Sequence, residues 1–183
     1  SMNSLDMSDI SLHQIMVNTS ETSKNSVTFN VDTNSYMCII SFTPSKRTSQ
    51  TGHCIDEFED YRIFNKLTEL KVIINDKTIM PEQGYSISDI DTMKQTIHDV
   101  YLENNQMLNN VGIKEDYNED YQTFRERGFY YVIPIQVHLK KVKVEFQINS
   151  TPADTNVNLY VVKKKTLSYE IKNNTVSSVS TKE

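Results

Sequence analysis

The chain has 183 residues, of which 37% are hydrophobic, and a formal net charge of −5. This length suffices for one domain with a buried core, and the negative charge excludes a general attraction to nucleic acid. Residues 1–135 carry 11 basic and 20 acidic side chains, whereas residues 136–183 carry 8 basic and 4 acidic ones. The two parts are therefore electrostatically different, which suits either head-to-tail contact between copies or two solvated surfaces of one domain.

Alternating apolar and polar residues, many of them β-branched, predict a mostly-β chain. The clearest strand contains Val142, Val144 and Phe146 on one face, a pattern typical of a half-buried strand whose alternate side chains enter the core. Asn75-Asp76 after an apolar run predicts a hairpin turn. Eight strands are predicted: Leu12–Val17, Val27–Asp32, Ser35–Phe42, Leu67–Ile74, Phe129–Val137, Val142–Ile148, Val157–Lys163 and Thr166–Lys172.

One segment departs from this alternation and predicts an amphipathic helix from Ser88 to about Asn104. Ser88 and Asp91 resemble a capping box at its start. The helix lies within a long connection, Gln83 to Gly128, and long connections in sandwiches are usually functional or interfacial. We expect its apolar stripe to pack on the chain's own sandwich; the stripe comprises Ile90, Met93, Ile97, Val100 and Tyr101.

The predicted fold class is all-β: a jelly-roll β-sandwich of two four-stranded antiparallel sheets with one helix-containing insertion. The expected organisation is an N-terminal extension at 1–25, a jelly-roll domain at 26–172 with the insertion at 83–128, and a C-terminal tail at 173–183. An immunoglobulin-like sandwich is the second candidate. It is disfavoured by the long insertion and by the lack of any Trp.

No sequence motif points to catalysis, a metal or a cofactor, and we therefore predict a protein that is not an enzyme and carries none. The four histidines are dispersed, and His53-Cys54 supplies only two of the four ligands that structural zinc requires. Two cysteines are too few for a disulfide scaffold, so a reducing compartment is expected.

Two charged clusters form the candidate self-association surface. The acidic one lies in the long connection and the basic one near the C-terminal end, so that opposite charges on neighbouring copies would attract. The alternative is a solvated loop and an exposed strand end, and the acidic cluster lacks the spacing of a calcium loop. The candidate residues are Glu115, Asp116, Tyr117, Glu119, Asp120 and Tyr121, with Lys163, Lys164 and Lys165.

The order of these segments resembles the C-terminal jelly roll of double-jelly-roll major capsid proteins of the Polinton/Maverick, adintovirus and virophage type. The family proteins carry two jelly rolls and this chain holds one, and Leu139-Lys140-Lys141 stands where a glycine is usual. A single-jelly-roll penton-type protein therefore stays open. The matching segments are Val27–Val31, Cys38–Ser45, Phe58–Phe64, Leu70–Pro81, Gly128–Pro134, Val142–Phe146, Asn158–Val162 and Leu167–Ile171.

The resemblance implies a structural capsid protein that self-assembles, with itself (as a trimer) and other capsid proteins as partners. It implies a location in the virion after assembly inside the host cell. The net charge and the lack of any run of about 18 apolar residues predict no specific nucleic acid and no membrane as partner. A non-enzymatic binding module for carbohydrate or protein is the alternative function. A cupin-like enzyme is disfavoured because the histidines do not cluster.

Overall fold

Nine strands and one long helix make up the part of the chain that the computed structural model describes, namely residues 2–19, 24–44, 67–86, 90–110, 121, 124, 130–148 and 153–182. The helix, α1, covers Ile90–Asn110. The strands are β1 (Met2–Thr19), β2 (Lys24–Ser35), β3 (Met37–Pro44), β4 (Leu67–Ile74), β5 (Thr78–Ser86), β6 (Tyr130–Ile133), β7 (Val137–Ile148), β8 (Ala153–Lys172) and β9 (Thr175–Lys182).

The strands form two antiparallel sheets whose order is that of a jelly roll. The first sheet has the order β1-β8-β3-β6, with β9 paired to β8, and the second has the order β2-β7-β4-β5. The chain crosses between the sheets after most strands, as two interlocked Greek keys require. The predicted fold class is therefore confirmed, and β9 gives the first sheet five described strands where four were expected.

The core lies between the two sheets and is built from alternate residues of their strands. Val142 and Val144 have no exposed surface and Phe146 retains 2%, as their alternation predicts. The ring of Phe146 meets that of Phe42 from the opposite sheet at a centroid distance of 4.9 Å. Aromatic contacts of this kind join the sheets across the interior.

The helix α1 packs on the first sheet and satisfies the outer edge of β6. Leu108 is buried against Val132 and its neighbours on the sheet face that points away from the core. Asn104, 1% exposed, donates from its amide to the carbonyl of Tyr130 (2.6 Å) and accepts from the N–H of Val132 (2.9 Å). Its side chain thus replaces the neighbouring strand that an edge strand lacks.

The predicted helix is confirmed, but it continues to Asn110, six residues beyond its expected end. Of its predicted apolar stripe, the structure describes the side chains of Val100, which is buried, and Tyr101, which is half-buried. Both pack with the main core. The side chains of Ile90, Met93 and Ile97 lie outside the described part.

Two strand predictions were wrong. Phe129–Val137 was expected as one strand, but β6 ends at Ile133 and β7 begins at Val137. Pro134 follows Ile133 and has no N–H to donate to a ladder. The last two predicted strands, Val157–Lys163 and Thr166–Lys172, form one continuous 20-residue strand, β8. The two residues between them, Lys164 and Lys165, do not interrupt a strand.

Two turns share one backbone geometry. Asn75 and Asp76 have φ angles of 52° and 59°, the left-handed pair that a tight two-residue hairpin requires; this confirms the predicted turn. Asn173 and Asn174 repeat it with 53° and 60°. That second turn returns the chain from β8 into β9, a strand that the sequence analysis did not predict.

Candidate interaction surface

Three strands continue beyond Met37, the first residue of β3, and form a ribbon at one end of the first sheet. β8 pairs with β3 only as far as Val162, but with β1 as far as Glu170. β9 pairs with β8 over Thr166–Lys172. It lies on the side of β8 that pairs with β3 over residues 155–162, because β1 occupies the other side. The terminal ribbon is defined here as residues 2–9, 163–172 and 175–182.

The register assigns each side chain of the terminal ribbon to one of two faces. Val161 points into the core, so every second residue after it shares that face. Directly opposite residues of antiparallel strands also share a face, which places Leu5 beside Leu167. A bulge in β9 then brings Val176 beside Ile171 on the same side. The apolar ribbon face comprises Leu5, Met7, Leu167, Tyr169, Ile171, Val176 and Val179.

The apolar ribbon face is largely uncovered within the described part of the chain. Leu5 is 54% exposed, and Val176 and Val179 are each 59% exposed. On the same face of β8, a few residues earlier, Val161 has no exposed surface. A contiguous exposed apolar patch, as opposed to scattered apolar residues, marks an interaction site.

The opposite face of the ribbon is polar. The hydroxyl of Thr166 donates to the carboxylate of Asp6 at 2.9 Å, and Lys172 pairs with Glu170 at 3.3 Å. Serine dominates the remaining positions of this face. The ribbon is therefore amphipathic, like a sheet that faces water on one side and a protein partner on the other.

A charged belt separates the apolar ribbon face from the core. Lys165 pairs with Asp9 at 2.8 Å across β8 and β1, and Lys163 lies on the same face. The hydrogen bond from Lys165 holds the pKa of Asp9 below its usual value, and the charges of Lys165 and Lys163 add to this effect. The apolar ribbon face is thus a separate patch and not an extension of the core.

Among the described residues, β9 pairs with a strand on one side only, and its other edge has an unusual composition. From Thr175 to Thr181 it contains no charged residue and no proline, although natural edge strands are usually protected by these residues. Every described side chain of β9 is exposed. The edge can therefore accept another strand at no electrostatic cost.

The structure places the predicted surface residues in separate settings. Tyr121 is half-buried, with its ring 5.2 Å from that of His98 and 5.5 Å from that of Tyr101. The ammonium of Lys164 lies 5.3 Å from the ring centroid of Tyr36, and Lys165 belongs to the charged belt. Glu115, Asp116, Tyr117, Glu119 and Asp120 lie outside the described residues, so their contact with the lysines stays a prediction.

The apolar ribbon face was not predicted from the sequence, although the sequence contains a signal for it. Asn173-Asn174 is a turn dipeptide of the left-handed type, and it follows a strand and precedes a β-branched segment. A hairpin could have been predicted there. The face assignment could not, because the bulge that aligns Val176 with Ile171 has no sequence signature.

Among the described residues there is neither a group of metal ligands nor a membrane-spanning helix. No three histidine, cysteine, aspartate or glutamate side chains among them lie close enough together to hold a metal ion. No helix among them is both long and apolar enough to cross a bilayer.

Comparison with known proteins yields a likeness of fold. No family model matches the sequence, and no curated protein matches it. The structure is similar to a chain of the Sputnik virophage solved by cryo-EM at 3.5 Å, with a TM-score of 0.52 and 10% identity over 97% of this chain and 39% of that chain. At this identity the likeness shows the shared fold, and it confirms at that level the resemblance to virophage-type jelly rolls.

A second solved structure is PBCV-1 VP54, a crystal structure fitted into a cryo-EM reconstruction of the virophage Sputnik. Its TM-score is 0.46 with 7% identity, over 97% of this chain and 52% of that chain. This chain therefore spans about two fifths to one half of the chains that it matches.

Proposed function

We propose that the chain is a structural subunit of a viral or virus-like capsid, without enzymatic activity, and that it assembles with copies of itself. The observation that carries this proposal is the uncovered apolar ribbon face. A subunit of a shell needs a rigid body with one or more surfaces that only a neighbour covers. The jelly roll supplies the body and the terminal ribbon supplies such a surface.

The fold supports the same function. A sandwich of two sheets limits free strand edges, and in this chain α1 covers the edge of β6 through Asn104. The likeness of fold to a virophage chain extends over nearly the whole chain. Location in the virion, assembly in the host cell and association with other capsid proteins belong to this proposal, as does the trimer that the resemblance implies.

We assign the apolar ribbon face to contact with a second copy of this chain. The seven residues that define this face are uncharged, so two copies can meet at these residues without like-charge repulsion. Eight residues of extended strand span roughly 26 Å and three strands roughly 14 Å, which gives a face of about 350 Å². A stable complex needs roughly 800 Å² per partner. Contact through this face alone is therefore weak and depends on concentration.

Sedimentation across protein concentration tests this proposal. The chain should shift from monomer to oligomer as its concentration rises. Replacing Leu5 and Val179 together by lysine should abolish the shift, because both lysines would place charge in the contact. Leu12→Lys is the matched control: Leu12 is also 54% exposed on β1 but points to the opposite face of the sheet.

Ionic strength separates this contact from the predicted one between the acidic cluster and the lysines. Salt screens exposed ion pairs but does not weaken apolar contact. Oligomers that persist at high salt support the ribbon contact. Oligomers lost at high salt, and lost on neutralising Glu115, Asp116, Glu119 and Asp120, support the charged one. A chain that stays monomeric at every concentration and salt would overturn the proposed function.

A further inference from the structure

β9 has the one unprotected edge among the sheet edges that the structure describes. The first sheet has edges at β1, β6 and β9, and the second has edges at β2 and β5. The side chain of Asn104 covers the edge of β6, and proteins protect other edges with charged residues or proline. Between Thr175 and Thr181, β9 has neither kind of residue. The other three edge strands contain them, namely Asp6 and Asp9 in β1, Lys24 and Asp32 in β2, and Pro81 and Glu82 in β5.

The space beside this edge contains no strand among the described residues. β8 pairs with β3 as far as Val162 and with β9 from Thr166, which leaves a gap beside Lys164. β6 pairs with β3 and ends at Ile133, so it does not extend alongside β9. An edge strand presents backbone N–H and C=O groups to any strand that approaches it. An incoming strand can therefore form a ladder with β9 along Thr175–Thr181.

A second β9 strand fits this edge best in the antiparallel direction. The only charge in β9 is that of Lys182. In an in-register parallel pair the two Lys182 side chains would lie side by side, and like charges directly opposite each other destabilise a sheet. An antiparallel pair centred on Ser178, Val179 or Ser180 separates the two lysines by about 14 Å or more along the strand. This distance exceeds the Debye length of roughly 8 Å at physiological ionic strength, so the charge favours the antiparallel arrangement.

Antiparallel pairing also joins the apolar ribbon faces of the two copies. Directly opposite residues share a face, so a two-fold axis through one residue places both Val179 side chains on the same side of the joined sheet. The apolar ribbon face of one copy measures about 350 Å², and the joined face therefore measures about 700 Å². A stable complex needs roughly 800 Å² per partner. Edge pairing thus provides most of the area that the face of a single ribbon lacks.

We propose that β9 pairs with β9 of a second copy of this chain, edge to edge and antiparallel, so that the first sheets of two copies form one continuous sheet. The inference rests on the proposed function, because the occupant of the edge is a second copy. It adds to that function a contact that is geometrically distinct from the apolar ribbon face. Backbone hydrogen bonds stabilise it, as in other cases of strand addition to a sheet edge. A shell needs contacts of more than one symmetry, because a single closed contact yields only a dimer or a ring.

Sedimentation of two lysine variants of the full chain at low salt tests the edge. Ser178→Lys with Ser180→Lys places like charges across the pairing, on the polar face of the ribbon and away from the apolar one. This variant should lower the association constant at least about tenfold, because opposite like charges destabilise strand pairing and a two-fold contact contains each substitution twice. Met2→Lys with Ser4→Lys is the matched control, because these residues flank the same two residues of β8 on the same face, but along β1. The control should change the association constant by no more than about twofold.

A cysteine scan locates the axis. In a Cys54→Ser background, single cysteines replace each residue from 177 to 181, and disulfide-linked dimers are measured under mild oxidation. Only the residue on the two-fold axis lies directly opposite its own copy, at a Cα separation of about 5 Å that a disulfide can bridge. Each step away from the axis separates the two cysteines by about 7 Å more along the strand. The yield of dimer should therefore peak at one residue and fall on both sides of it.

The outcomes separate this inference from the proposed function. If the Ser178→Lys, Ser180→Lys variant associates as the unmodified chain does, the edge pairing is overturned while the proposed function stands. If both lysine variants weaken association equally, net charge or pairing of β9 with β1 of a neighbour is the cause, and the two-fold pairing is overturned. Equal dimer yields at all scanned positions would also contradict a two-fold axis. A chain that never associates overturns the proposed function, and this inference with it.

Discussion

β8 runs through two regions in which alternate side chains point to the same face of the strand. The two regions differ in what covers that face. In the sandwich body, Val157, Leu159 and Val161 have no exposed surface, because the second sheet lies across from them. In the terminal ribbon the same face presents Ile171, which is 38% exposed, and its neighbour Val176 on β9, which is 59% exposed. The strand, its pleat and its apolar pattern are the same in both regions.

This difference shows that alternation determines which side chains share a face, whereas a second layer determines whether that face is buried. An apolar face without its second layer has no energetic reason to be retained in an isolated chain. Its natural explanation is a cover supplied from outside the described residues.

The largest difference should be in thiol reactivity. Burial raises the pKa of the Cys38 thiol in the body to about 12, whereas an exposed thiol placed by Val179→Cys should titrate near about 8.5. Only the thiolate reacts. In a Cys54→Ser background at pH 8, Cys38 should therefore react with a disulfide reagent at least about a thousandfold more slowly, and its rate should rise with pH.

The measurement is the rate of reagent release by each variant in dilute solution, where the ribbon is uncovered. In the folded protein the Cys38 thiol has a pKa of about 12, so only a small fraction is thiolate at neutral pH. The reaction rate of Cys38 should therefore increase about tenfold per pH unit between pH 7 and pH 9. Similar rates for the two thiols would show that the body opens readily, which would remove the contrast between the regions.

The second difference should be in core stability. Phe146→Ala removes a ring that is 2% exposed and packs on Phe42, and it should cost roughly 3–5 kcal/mol in the free energy of unfolding. Leu12→Ala, at a side chain 54% exposed, should cost no more than about 0.5 kcal/mol. Urea unfolding of both variants measures this. A small cost for Phe146→Ala would place β7 in the wrong register.

A smaller effect is expected at the edge of β6. Asn104→Ala removes the amide that serves the backbone of Tyr130 and Val132 and leaves buried groups unpaired, at a cost of roughly 1–3 kcal/mol. Gln106→Ala on the exposed side of the same helix is the control and should be nearly neutral. Equal costs for the two variants would mean that α1 contributes only through its helical propensity.

The sequence predicts the body better than the ribbon, for physical reasons. The face of Val142, Val144 and Phe146 and the turn at Asn75-Asp76 follow from local chemistry: alternation and left-handed backbone propensity. The continuity of β8 through its lysines depends on pairing with β1, which is far away in sequence. The gap in the first sheet beside Lys164 depends on where β3 begins and where β9 ends, and no local pattern encodes that gap.

The smallest effect provides the most direct comparison, because one substitution can be made in both regions. Val→Thr keeps the β-branched shape and strand propensity and adds a hydroxyl. At Val144, which has no exposed surface, the new hydroxyl is removed from water into an apolar core. This should lower the free energy of unfolding by roughly 1–3 kcal/mol. At Val179, 59% exposed, the hydroxyl meets water, so the cost in dilute solution should stay within about 0.5 kcal/mol.

Protein concentration then tests whether a second copy covers the ribbon. Association stabilises the folded state by mass action, so the unfolding free energy of the unmodified chain should rise with concentration. Val179→Thr places a hydroxyl in that contact and should reduce the rise, whereas Val144→Thr should lower stability equally at every concentration. If the cost of Val179→Thr is the same in dilute and concentrated samples, the apolar ribbon face is not where copies meet.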